Sequence, residues 1–187
     1  MTLHDMQKAL VKAGAHERTC EQCAEAMMLH HNCSSSNAQL TSMQAARMLW
    51  LVLICQDTAV VRTESLLLMD SKLMPRERGK SDSGTALQFL AAAIRSTNLA
   101  TCIESVEVDA GTRLVTVEMR DDDPLEFATT EDSAYVSAPM GTMTLCGSLM
   151  CRLSMAYRSS VWLPITSDLI QHDYTQEEQG APIGAAI

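Results

Sequence analysis

One stretch, Thr112–Ile165, limits the folds open to this chain more than any other. It reads TRLVTVEMRDDDPLEFATTEDSAYVSAPMGTMTLCGSLMCRLSMAYRSSVWLPI. It opens on a strand pattern over Arg113–Met119, where Leu114, Thr116 and Glu118 alternate with Val115, Val117 and Met119. An acidic turn, Asp121–Asp123, leads into Pro124, Leu125 and Phe127, which can return apolar side chains to a core. The spacing over Pro139–Tyr157 predicts a long helix with almost no charge. Met143, Cys146, Leu149, Met150, Leu153 and Tyr157 form its stripe, and Gly141, Thr144, Gly147, Ser148, Cys151 and Ser154 supply small positions. A short strand, Ser160–Leu163, follows and is closed by Pro164. Strand, plugging turn, buried helix and strand imply the centre of a small α/β domain.

The rest of the chain is read around that centre. Apolar residues recur at helical intervals over Leu3–His31, with Gly14 as a point where the helix can split in two. Asn32–Asn37 predicts a loop, and Thr41 or Ser42 can cap a second helix over Ser42–Val61. That helix is apolar nearly all round between Met48 and Cys55, so it should be buried on more than one side. Glu64–Met69 continues it or starts another helix, and Pro75–Gly84 is a break expected to lie in an exposed loop within one domain. Thr85–Ser96 predicts a third helix with Ala86, Leu87, Phe89, Leu90, Ala93 and Ile94 on its apolar face. Cys102–Val108 reads as a strand, and Asp109–Gly111 as the hairpin turn into Arg113–Met119. Beyond Pro164 the pattern fades. We expect a single domain over residues 1–170 and a flexible tail over residues 171–187.

Charge and composition exclude some functions. The formal net charge is −9, which argues against a nucleic-acid groove or a general attraction to anionic lipid. Aromatics make up 4% of the chain, so its 13 methionines must do much of the core filling. Seven cysteines, an odd number, follow an N-terminal stretch without a signal-peptide pattern, which favours reduced thiols and a cytoplasmic protein. No apolar run is long enough to span a bilayer.

Motif by motif, the residues offer little chemistry. Cys20 and Cys23 in a CxxC, with His30, His31 and Cys33, carry the residue types of a zinc site. However, the pair lies within a helical pattern and no second CxxC follows, so core-facing thiols are the simpler expectation. Glu21-Gln22 between the cysteines does not suit a redox turn either. Asp121–Asp123 with Glu126 lacks the alternating oxygens and the glycine of a calcium loop. No GxSxG elbow is present, and Gly79-Lys80-Ser81 lacks the upstream glycine of a phosphate loop. Neither a catalytic site nor a cofactor or metal is expected.

The order of helices, hairpin, buried helix and strand resembles the Bet3-like subunits of the TRAPP (transport protein particle) vesicle-tethering complexes. Leu114–Met119 followed by Asp123-Pro124-Leu125-Glu126-Phe127 is similar to that family's strand, Asn-Pro-Leu and Phe-containing turn. Leu145-Cys146-Gly147 falls where the family carries Leu-Cys-Gly at the start of its fourth helix, with Leu149 one turn into the helix core. The second helix lacks the family's paired glycines, and Pro75–Gly84 holds no cysteine for the acylation known in Bet3, so lipidation is not carried over.

The resemblance implies helices packed on one face of a small antiparallel sheet. It further implies a non-catalytic scaffold that pairs with other TRAPP-like subunits through helical faces in a hetero-oligomer. Through that complex the chain would act indirectly on a Rab GTPase and lie peripherally at Golgi or ER–Golgi membranes. The roles implied for Pro124, Leu125, Phe127, Leu145, Cys146, Gly147 and Leu149 are structural. The rival is a module of the same fold that holds a small apolar ligand such as an acyl chain in a Met-rich core. An enzyme built on Cys20, Cys23, His30 and His31 ranks third.

Overall fold

A computed structural model describes residues 1–30, 33–55, 72–73, 84–109, 114–128 and 141–174. The chain opens with three helices: α1 (Leu3–Lys12), α2 (Glu17–His30) and α3 (Ser42–Ile54). Thr2 caps α1 through the Asp5 N–H, and the Asp5 carboxylate accepts from the Thr2 N–H in return, completing a capping box. Thr41 and Gln44 build the same box on α3. The single helix expected over Leu3–His31 is split at Gly14, whose φ of 115° no side chain tolerates easily. There the Ala13 carbonyl accepts from the N–H groups of Leu169 (3.2 Å) and Ile170 (2.9 Å), which ties the first helix to the last strand.

Helix α3 is buried on every side over its second half, from Met48 to Leu53, and packs against α2 and against α4 (Ala86–Arg95). Thr85 and Gln88 cap α4 with a third box. A short helix, α5 (Thr97–Cys102), follows, capped by Ser96; sequence reading assigned no element to residues 97–101 and placed Cys102 in the strand, which begins at Ile103.

The sheet has six strands in the order β1-β4-β3-β2-β5-β6, every neighbouring pair antiparallel. The strands are β1 (Lys72–Leu73), β2 (Ile103–Asp109), β3 (Leu114–Met119), β4 (Leu125–Ala128), β5 (Gly141–Cys146) and β6 (Ile170–Tyr174). Period-two alternation sorts its faces. Val106, Val108, Val115, Val117, Phe127 and Leu145 point to the helices and are buried, whereas Glu107, Thr116 and Thr144, paired in one row, point away. Helix α6 (Gly147–Ser159) leaves β5 and lies across the inner face against β2 and β5. The protein is thus α+β, with helices packed on a small antiparallel sheet. One continuous buried cluster draws on all six described helices and on β2 to β6.

Three expectations for the chain after residue 139 are corrected. The long helix over Pro139–Tyr157 is strand β5 followed by α6. Gly141–Cys146 alternates Thr142 and Thr144 outward with Met143 and Leu145 inward, and it pairs between β2 and β6. The Met143 and Cys146 spacing that mimicked a helical stripe is coincidental. Ser160–Leu163 is not a strand: Ser160 ends α6 at a φ of 55°, and residues 161–166 join no strand. The strand after Pro164 is β6, whose residues 171–174 occupy what was expected to be the start of the tail. Residues 56–61 of the second helix, Glu64–Met69, the loop before Gly84, the turn after Asp109 and residues 175–187 lie outside the described residues.

Two glycines sit where backbone meets backbone. A Cβ at Gly147 would overlap the Ile103 carbonyl oxygen and stand 2.9 Å from that of Glu104; at Gly14 it would stand 2.9 Å from the Ile170 carbonyl oxygen. Neither neighbour is a side chain that can swing away. Gly147→Ala should therefore cost about 2 kcal/mol, in the range of overpacked cores, and Gly14→Ala about 1–3 kcal/mol through its forced φ. Urea denaturation of the two variants beside the parent checks both values.

Candidate interaction surface

The residues singled out from sequence occupy two places in the fold. Phe127 is fully buried in β4, its ring 5.8 Å from that of Phe89 on α4 at 47°. Pro124 and Leu125 are half-buried in the turn and the strand before it, and Leu125 packs on the core. Leu145 and Leu149 are buried on either side of the β5–α6 junction. At that junction the Cys146 N–H donates to the Leu169 carbonyl (2.8 Å), and its thiol lies 3.3 Å from the Ser148 hydroxyl. Gly147 is the first residue of α6, pressed against β2. Strands β3 and β2 separate the two groups, so they do not converge on one cleft. Each anchors a helix to the sheet.

The cysteines form a packing motif. Cys20 and Cys23 are fully buried on α2, and the Cys23 thiol shares a hydrogen bond with Cys55 at the end of α3. None of the seven cysteines is in a disulfide. Burial, reinforced by Glu17 and Glu21, pushes the Cys20 thiol up to about 12. The bond to Cys55 and then burial push Cys23 upward too. Thiols held as S–H are neither nucleophiles nor metal ligands. Among the described residues no group of three or more His, Cys, Asp or Glu is placed to hold a metal ion. His31 and the His30 side chain lie outside the described residues. Asp121, Asp122 and Asp123 are exposed at the bend between β3 and β4.

Sequence reading missed the surface feature that stands out. Between α1 and the irregular segment after α6 lies a groove of about 320 Å³, with Lys8, Ala9 and Lys12 on one wall and Trp162, Leu163 and Ile165 on the other. Val161 is 55% exposed and Leu163 38%, an apolar edge left open among the described residues. Among the described residues the backbone of residues 161–166 makes no backbone hydrogen bond. The signal was present in Val161-Trp162-Leu163, an apolar run with strand propensity, but it was assigned to the sheet. Among the described residues no helix is long and apolar enough to cross a membrane. No family model matches the chain, and neither does any curated protein or solved structure.

The thiol environments set a reactivity order. Cys102 is exposed and should react with a disulfide reagent at once, whereas Cys20 and Cys23 should wait for unfolding. An unfolded cysteine ionises near about 8.5. The Cys20 contribution to stability is therefore intact below that pH and is lost as pH climbs toward about 12. Thermal melts across alkaline pH should fall more steeply for the parent than for Cys20→Ala.

Proposed function

We propose that this chain is a non-catalytic scaffold subunit of a TRAPP-type vesicle-tethering complex. The observation that carries the proposal is the β5–α6 junction. Leu145, Cys146 and Gly147 stand at the point where a strand turns into a helix lying on the sheet, and the glycine is demanded there by contact with β2. A second support is the α+β arrangement itself, helices on a small antiparallel sheet, which the resemblance led us to expect. In this role the chain meets neighbouring subunits through packed helical faces. Met28 and Leu29 on α2 and Met155 on α6 are exposed apolar side chains suited to such contacts. The assembled complex, not this chain alone, would promote nucleotide exchange on a Rab GTPase and sit peripherally on Golgi or ER–Golgi membranes.

One observation favours the second reading, a module that binds a small apolar ligand. The Trp50 indole N–H is fully buried in α3 and has no hydrogen-bond partner among the described residues. An orphaned buried donor costs about 1–3 kcal/mol, and a ligand oxygen reaching it would recover that cost. Extraction of the purified protein into organic solvent, followed by mass spectrometry, would reveal a stoichiometric acyl chain on this reading.

Affinity purification of the tagged protein from its native cytosol separates the two. The tethering proposal expects several other small α+β subunits and larger partners at matching stoichiometry, together with exchange activity on a Rab GTPase in the eluate. A monomer, or a partner set without trafficking proteins, would remove it.

A further inference from the structure

We propose that the groove between α1 and residues 161–165 is a docking site for an extended acidic segment of a partner protein, held as an added strand along Val161–Leu163. This inference stands apart from the tethering proposal, since it rests on the groove alone.

Three properties of the groove choose the occupant. The first is backbone. Val161 and Leu163 are exposed and Trp162 is half-buried, and the three belong to no helix or strand. Among the described residues their N–H and C=O groups have no backbone partner, which leaves them open to pair with an incoming strand. Pro164 lacks an N–H and ends the available edge there.

The second is charge. The chain is strongly acidic, with a net charge of −9, but the rim of this groove carries the ammonium groups of Lys8 and Lys12. No described carboxylate forms an ion pair with either. Asp5 lines the same groove, but its carboxylate is engaged by the Thr2 hydroxyl (2.7 Å) and N–H (3.1 Å), which lower its pKa and keep it ionised.

The third is spacing. Four residues of helix rise about 6 Å, so Lys8 and Lys12 stand about as far apart as two residues on one side of a strand, about 6.8 Å. Carboxylates at alternate positions of a bound strand would face both lysines. The side chain between them would face Trp162 and Ile165. The recognised pattern is acidic–apolar–acidic. A concave site with two cations on an acidic protein does not suit a membrane, which is engaged by clusters of about 4–8 basic residues.

A displayed library of random nonapeptides, selected on the full chain, tests this directly. The expected result is enrichment of acidic–apolar–acidic sequences. Binding of a selected peptide, read by fluorescence anisotropy, should weaken at least tenfold for the Lys8→Glu/Lys12→Glu variant and for Leu163→Asp. Exchanging the peptide's acids for lysines should restore binding to the double charge variant. All three substitutions are at half-exposed or exposed positions, and matching thermal melts confirm that the variants are folded.

Several outcomes overturn the proposal: no enrichment, enrichment without acids, or binding indifferent to the charge reversal. So does co-sedimentation with phosphatidylserine vesicles that depends on the same lysines, which assigns the groove to lipid. Self-association abolished by the double variant assigns it to a second copy. Binding that emerges only when residues 175–187 are removed assigns it to the chain's own terminus.

Discussion

The close approach of Gly147 to the Ile103 carbonyl is the constraint on which the rest of the fold turns. It allows α6 to leave the end of β5 and press directly onto β2, with no side chain between. From that seat Leu149, Met150 and Leu153 reach the interior, and the helix also packs on α4 and α5. The residue before the glycine fixes the next element: the Cys146 N–H holds the Leu169 carbonyl and so starts β6 on the free edge of β5. A side chain at position 147 would lift the helix from the sheet and loosen both sides of this corner at once.

How far the fold could be read from sequence depended on whether one period or one cap dominated locally. The α4 face and the β2–β3 hairpin followed directly from their patterns, and Thr41 was one of the two caps expected, with Ser42. A split of the first helix at Gly14 was open from sequence, because glycine weakens a helix interior. Gly141–Cys146 defeated the same method. Its Thr-Met-Thr-Leu alternation is only four residues long, and it runs into a helix whose stripe happens to continue through Met143 and Cys146. Pairing on both edges, by β2 and β6, decided the matter, and that contact is not local. Val161-Trp162-Leu163 failed in the opposite sense, since strand propensity without a partner strand among the described residues leaves an irregular segment. The β6 strand, Ile170–Tyr174, carries His172 and Asp173, which hid it.

The site was less legible than the fold. The motif residues near Phe127 and Gly147 turned out to secure helices to the sheet, so their chemistry is geometric. The cysteines illustrate why composition misleads. A CxxC offers metal ligands only if the thiols can ionise, and Cys20 and Cys23 face a dry interior formed with α3. What sequence could not supply was the pairing of α1 with residues 161–165, segments far apart in the chain that together place two lysines over an apolar floor. Interaction surfaces of this kind arise only after folding, from elements that each look ordinary alone.

The two hydrogen bonds from Leu169 and Ile170 to the Ala13 carbonyl join the first helix to the last strand. Their consequence lies in the order of synthesis. As the chain emerges from the ribosome, α1, α2 and α3 appear together and can begin to bury their methionines against one another. The end of α1 stays unsatisfied until β6 has left the exit tunnel and entered the sheet. The fold therefore closes only once β6 has emerged, and nascent chains remain candidates for chaperone capture until that strand arrives.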